Sequence, residues 1–383
     1  MIIEGGRTGA HDQPRVLQIQ ISRYTPALPR PNESLRFLVA FHVEGSATTW
    51  QRNTELSRAA EERMLGQIAG LRLWSAGLGL TRRTSRAATE SLGRTLRDVF
   101  LGRRGAELIE RIAPTAILLF VDETVIHLPW EFMRRADGSP LFLIPFSRVV
   151  TSRVVPERGR DPAVEEPAIR ILTVENPTED LAATERVVDV ISSLQGERGD
   201  VTIEVSVLRA KDATRRGFAD ALAGQAFDII HFAGHGMFDA AKPSDVALLM
   251  NDGPLVDEDV LAFRWTAPPF VVFNSSCESG RAAPGRRIVL GRRRSNGLAA
   301  AFLARGVEAY LGHFFLVRDA SAAMFAEEFY DRLFRLRNVG QAVQQARRSM
   351  LDRYASTGDL TAFGLTFFGD SGTAERADLA TAA

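Results

Sequence analysis

The sequence predicts an α/β fold, a mainly parallel sheet with helices on both faces, extended at its N-terminus by a further α/β region. Three observations carry this. Beyond residue 168, short apolar runs alternate with helical patterns, as a parallel sheet covered on both sides requires. Runs such as 270–273 (FVVF) are continuously apolar, not alternating, which marks strands buried on both faces. Two of these runs stop abruptly in small and polar residues. That composition suits the carboxyl ends of parallel strands, where functional groups gather.

Taken in order, residues 1–13 read as a frayed tail. Residues 16–22 (VLQIQIS) and 35–43 (LRFLVAFHV) are predicted strands, joined across the proline-rich stretch 25–32. Residues 54–73 are predicted helical. So are 86–112, where Leu92, Leu96, Val99 and Phe100 recur at helical spacing and Pro114 marks the end. A buried strand at 116–121 leads to HLPWEF at 127–132, a turn at 136–140 and an extended run at 141–153. The polar stretch 156–167 carries three prolines and reads as a linker. It divides an N-terminal α/β region, 1–160, from a core at 161–373 and a tail at 374–383. In the core, strands are expected at 169–174, 201–208, 227–233, 270–275 and 309–315. Helices are expected at 181–194, 213–222, 298–305, 320–335 and 339–353.

The 383 residues hold 47 basic and 47 acidic side chains. A balanced charge gives no pull toward nucleic acid or a membrane surface. The longest apolar runs are far too short to span a bilayer. The opening MIIEGGRTGAHDQP has no apolar signal core, so a cytoplasmic location is expected. The single cysteine excludes an internal disulfide and a cysteine-rich metal site. No cofactor is expected.

The chemistry gathers in FDIIHFAGHG (227–236) and PFVVFNSSCESG (269–280). His235 and Cys277, 42 residues apart, each fall at a strand end. If the two strands are neighbours, imidazole and thiol face one cleft. A thiol is mostly protonated at neutral pH and needs an adjacent base to become a nucleophile. The tetrahedral intermediate then needs donors for its oxyanion. Gly236 can bring a backbone N–H close, the Cys277 amide is the natural second donor, and Gly280 suits a sharp exit after the nucleophile. A lone cysteine is more often a packed core thiol, and only this setting argues otherwise. His231, four residues before His235, suits a hydrogen-bonded sheet histidine better than half of a zinc pair, since no third ligand is apparent. His127 and His313 read as structural, Trp130 as packing and Glu131 as a turn hydrogen bond.

HFAGHG with a downstream NSSCESG resembles the CHAT family of caspase-like peptidases, kin of caspases, separases and metacaspases. TVENP at 173–177, LPWE at 128–131, SNGLAAAFLARGVEAYLG at 295–312, residues 339–347 and FGLTFFGD at 363–370 resemble further family segments. The resemblance runs from about residue 89 to 370 and leaves 1–88 unmatched. It implies a caspase-like fold and a Cys277–His235 dyad, not a full triad, with Gly236 and the Cys277 amide as oxyanion hole. It also implies cleavage after a defined residue of a protein substrate. In such folds the pocket for that residue lies near Glu175 and Ser275. Metacaspases carry an acid at the position of Ser275 and cleave after Arg or Lys. Ser275 departs from this, leaving Glu175, or Asp252, Asp257 or Asp259, as candidate acids.

The stretch 281–294 holds six arginines. It reads as a solvated loop, as a docking patch for an acidic partner or nucleotide, or as a self-cleavage segment with Arg287 and Arg294 as candidate sites. The family resemblance suggests bacterial defence or programmed cell death, with a gasdermin-like pore-former as one target. An activating protein or second messenger would be the trigger. The alternative is a catalytically silent scaffold on the same fold, or another hydrolase or acyltransferase using the same dyad.

Overall fold

The computed structural model describes residues 15–24, 34–79, 81–122, 125–150, 168–181, 184–198, 201–238, 246–281 and 297–371. Arg287, Arg294, the 156–167 linker and the tail lie outside the described residues. The N-terminal half comprises strands β1 (Val16–Arg23), β2 (Leu35–Val43) and β3 (Thr49–Leu56). Helices α1 (Arg58–Ser75), α2 (Arg82–Leu96) and α3 (Gly102–Ile112) follow, then β4 (Ala116–Val121) and β5 (Phe146–Val150). The second half runs β6 (Ala168–Glu175), α4 (Thr184–Ser192), β7 (Gly196–Arg198), β8 (Val201–Arg209), α5 (Arg215–Gly224) and β9 (Ile229–Ala233). Three short strands, β10 (Gly236–Phe238), β11 (Val246–Met250) and β12 (Gly253–Leu255), precede α6 (Asp257–Ala262) and β13 (Val271–Asn274). The last described elements are α7 (Leu298–Ala304), β14 (Ala309–His313), α8 (Asp319–Leu336), α9 (Val339–Thr357), α10 (Thr361–Gly364) and β15 (Leu365–Gly369).

Among the described residues, twelve strands form one sheet in the order β3-β2-β1-β4-β5-β15-β14-β13-β9-β6-β8-β7. The strands β8, β6, β9, β13 and β14 are parallel neighbours. β15 runs antiparallel to β14 and parallel to β5, which continues through parallel β4 and β1. The N-terminal strands thus extend the same sheet. The expected mainly parallel α/β architecture is the one observed.

At the junction, Glu131 is not the turn hydrogen bond its sequence position suggested. Its carboxylate takes both Nε and Nη2 of Arg148 in a fully buried pair. Arg148 Nη1 also donates to the Ile126 carbonyl at 3.1 Å. A third buried charge, Arg347, donates to the Leu365 carbonyl at 2.7 Å. Burial lowers its pKa to about 10, against the pull of Glu131. Trp130 is packing, as expected: it is buried, meets Phe100 at 4.7 Å and donates to the Val125 carbonyl.

Two expected helices are corrected. Residues 49–56 form edge strand β3, and α1 starts only after Ser57, whose side chain accepts the Ala60 N–H. β3 is polar, and its pairing with β2 decides its conformation. The single helix expected over 86–112 is two, separated by a π turn at Arg97–Leu101 that ends at Gly102, φ +61°. Arg52 of β3 donates to the Val99 and Phe100 carbonyls freed there. The small sheet β10–β12 and helix α6 were not foreseen. Their runs are too short to show a period.

Candidate active site

β9 and β13 are direct parallel neighbours, with Phe232 opposite Asn274. The condition for His235 and Cys277 to meet is therefore fulfilled. Both side chains line one small cleft at the carboxyl ends of these strands, together with Leu181, Ser275, Val317 and Asp319.

The NSSCESG segment is locked by its own polar groups. Asn274 is buried. Its Oδ1 accepts the Ser276 N–H at 3.0 Å, and its Nδ2 donates to the Tyr310 hydroxyl at 3.1 Å. Ser279 Oγ donates back to the Asn274 and Ser276 carbonyls, and Tyr310 donates to the Ser279 carbonyl at 3.0 Å. Ser275 Oγ meets His231 Nε2 at 2.9 Å, and His231 Nδ1 meets the hydroxyl of Tyr330, on α8, at 3.0 Å. His231 is thus the supporting sheet histidine, not a partner of His235. Burial lowers its pKa to about 3.

The two glycines act by close approach. A Cβ on Gly236 would lie 2.1 Å from the Cys277 carbonyl oxygen and 2.8 Å from Ser276 Oγ. The two motifs therefore touch backbone to backbone. Gly236 stands opposite Leu248, and Leu249 N–H donates to the His235 carbonyl. That makes Gly236–Leu248 a non-hydrogen-bonded pair, so the ladder makes no use of the Gly236 N–H. At Gly280 a Cβ would meet Thr366 Oγ1 at 2.0 Å and the Gly312 carbonyl oxygen at 2.6 Å. The left-handed residue of the exit is not Gly280 but Glu278, φ +56°.

Cys277 Sγ faces the loop after β14. The Val317 N–H donates to it at 3.4 Å, and the thiol lies 3.6 Å from the Val317 carbonyl oxygen. Burial pushes the thiol pKa up, the Val317 N–H opposes this, and the charges of Glu278 and Asp319 add to it. His235 is turned instead to Asp180, whose Oδ1 and Oδ2 lie 3.0 and 3.1 Å from Nε2. Asp180 sits in the loop after β6. Asn176, φ +41°, turns the chain there and accepts the N–H groups of Asp180 and Leu181 at 3.1 Å. The Thr178 hydroxyl, then His235, hold the Asp180 carboxyl below its ordinary range.

Among the remaining candidates, Ser275 lines the cleft and Glu175 does not. Glu175 ends β6 on the side of β8, ion-paired with Arg209. There it lines a separate cavity of about 310 Å³ with Glu179, Glu185 and Asp189. Burial raises its pKa, against the pull of Arg209. Asp257 is buried at the start of α6 and Asp252 pairs with Arg215; neither lines the cleft. Sequence reasoning missed Asp180, Val317 and Asp319. Asp180 carried a usable signal, because NPTED is also a polar stretch directly after an apolar strand.

A family model described as the CHAT domain matches residues 85–361. No curated protein matches the chain. Among solved structures, the Saccharomyces cerevisiae separase–securin complex at 3.0 Å resolution is similar with a TM-score of 0.58 and 12% identity, over 93% of this chain and 30% of that one. A second structure of that complex, at 2.6 Å, has a TM-score of 0.55 and 12% identity, over 92% and 30%. The complex of Porphyromonas gingivalis RgpB pro- and mature domains has a TM-score of 0.45 and 14% identity, over 83% and 78%. The chain thus spans under a third of the separase chains it resembles.

Proposed function

Since this chain belongs to the CHAT domain family and has a separase-like caspase fold, we propose that it is a cysteine endopeptidase. The observation that carries the reading is the shared cleft: His235 and Cys277, from adjacent parallel strands, line the same depression. With Nε2–H given to Asp180, the lone pair falls on Nδ1. In the first step Cys277 gives its proton to Nδ1 and the thiolate attacks the scissile carbonyl carbon. The resulting oxyanion takes the N–H groups of Gly236 and Cys277. Imidazolium then protonates the leaving amine as the C–N bond breaks. Water, deprotonated by His235, hydrolyses the thioester and returns the proton to sulfur.

The residue after which cleavage occurs is proposed to be basic. Asp319 is the acid that lines the cleft among the described residues, and its charge is felt at Cys277. Basic specificity would also serve self-cleavage at Arg287 or Arg294. The substrate is proposed to be one or a few cytoplasmic proteins, cut in bacterial defence or programmed cell death. A gasdermin-like pore-former would fit such a role, which rests on the family resemblance alone. Incubation with a peptide library tests the reading: cleavage should be lost in Cys277→Ala and in His235→Ala, and cleavage retained by either folded variant overturns it. Intact mass after incubation tests self-cleavage, which equal masses for wild type and Cys277→Ala would exclude.

The silent-scaffold reading has one observation in its favour. The thiol is engaged with Val317 and its pKa is raised, so attack requires it to turn toward His235. A thiol probe that never labels Cys277, under any activating condition, would favour the scaffold.

A further inference from the structure

Glu278 follows the nucleophile directly, and its side chain does not face the cleft. It is only 5% exposed and accepts three charged hydrogen bonds. Arg72 approaches it in bidentate fashion, Nε to Oε1 at 2.7 Å and Nη2 to Oε2 at 3.0 Å. Arg281 Nη1 adds 2.8 Å to Oε1 and lies over the Phe314 ring. Arg72 is in the last turn of α1, 206 residues from Glu278. It therefore precedes the stretch that matches the family model. Helix α1 is itself anchored to the second half, since Trp74 Nε1 donates to the Gly358 carbonyl at 2.9 Å.

Three features make this more than packing. Glu278 has φ +56°, a left-handed conformation that strains a residue with a Cβ. Glycine, or an apolar residue turned inward, would meet a merely structural need at lower cost than a buried carboxylate. The carboxylate is also close enough for its charge to disfavour the Cys277 thiolate, so the guanidinium partners set how much of that charge the thiol feels. The Glu278 N–H, moreover, donates to the Phe315 carbonyl at 3.3 Å. The clamp therefore reaches the loop that leads to Val317, where the thiol rests.

We propose that Arg72 is a positioning residue for Cys277: through Glu278 it holds the turn after the nucleophile and neutralises the carboxylate beside it, making α1 part of the active site. The consequence for turnover rests on the peptidase reading; the consequence for the thiol does not. Because Cys277 is the chain's only cysteine, alkylation by iodoacetamide reports on it alone. Arg72→Gln should slow alkylation at pH 7.5 about three- to tenfold, up to one unit of thiol pKa. In a Glu278→Gln background the same substitution should slow alkylation much less, since the carboxylate charge that Arg72 offsets is gone. Equal rates for wild type and Arg72→Gln, or an undiminished slowing in the Glu278→Gln background, overturn the proposal. Arg72→Lys decides the matter if Arg72→Gln fails to fold. Keeping the charge but not the fork, it should slow alkylation about twofold, and a wild-type rate overturns the proposal. If no peptide is ever cleaved, the peptidase reading fails while these rates still decide the role of Arg72.

Discussion

Asp180 holds the His235 imidazole through both carboxylate oxygens, at 3.0 and 3.1 Å from Nε2. The dyad implied by the family resemblance thus has a third group behind it, carried by the loop after a neighbouring strand. Replacing Asp180 by Ala should lower kcat about tenfold, with KM unchanged. Asp180→Asn should recover part of this, because an amide oxygen still accepts the Nε2–H. The modest size follows from the exposure of the carboxylate. Steady-state kinetics on a cleaved peptide checks it, and an Asp180→Ala variant with wild-type kcat would refute the orienting role.

Gly236→Ala places a methyl 2.1 Å from the Cys277 carbonyl oxygen. Backbone must move, so the variant should lose over a hundredfold in kcat/KM and some thermal stability. Gly224→Ala, whose Cβ would meet nothing within 4 Å, should leave both unchanged.

Asp319→Asn should remove a preference for Arg or Lys before the scissile bond while sparing the fold. Profiling the variant against the same peptide library measures this. An unaltered preference would overturn Asp319 as the specificity acid.

Buried His231 and His313 have pKa values lowered to about 3 and about 4 from the ordinary 6.5. Each binds a proton more readily when unfolded, so its contribution is full above pH 6.5 and is lost as pH falls toward the folded value. Between pH 7 and pH 4.5 the loss should be about 2–3 kcal/mol for each. His313 makes no hydrogen bond through either ring nitrogen among the described residues. His313→Phe should therefore flatten part of the slope in urea denaturation. A slope identical to wild type would contradict the assignment.

Glu131 neutralises Arg148 with Arg347 nearby, all three buried. Glu131→Gln strands buried positive charge and should cost about 3–5 kcal/mol. Arg148→Met in combination with Glu131→Met should cost less, because the pair leaves together. Chemical denaturation of the three proteins compares them.

Much of the site was legible because its chemistry sits on contiguous segments. HFAGHG and NSSCESG each end a short apolar run, and that pattern singled out His235, Gly236 and Cys277 as candidates. The strands 35–43 and 116–121 were legible for the same reason, a burial pattern written into consecutive residues. β3 was not, because an edge strand needs no apolar face and its pairing partner decides it. Glu131 was misread for a related reason: nothing near it announces Arg148, 17 residues away.

By itself, then, the sequence determined the α/β class and the strand ends that carry thiol and imidazole, since apolar periodicity and small-residue punctuation are local properties. Only the tertiary structure decided what stands around them. Asp180 behind His235, Val317 against the thiol, Asp319 in the cleft and Arg72 on Glu278 all reach the site from other parts of the chain. The physical reason is that hydrogen bonds and ion pairs are chosen by proximity in space. In a parallel sheet, proximity is set by strand order, which no local pattern records.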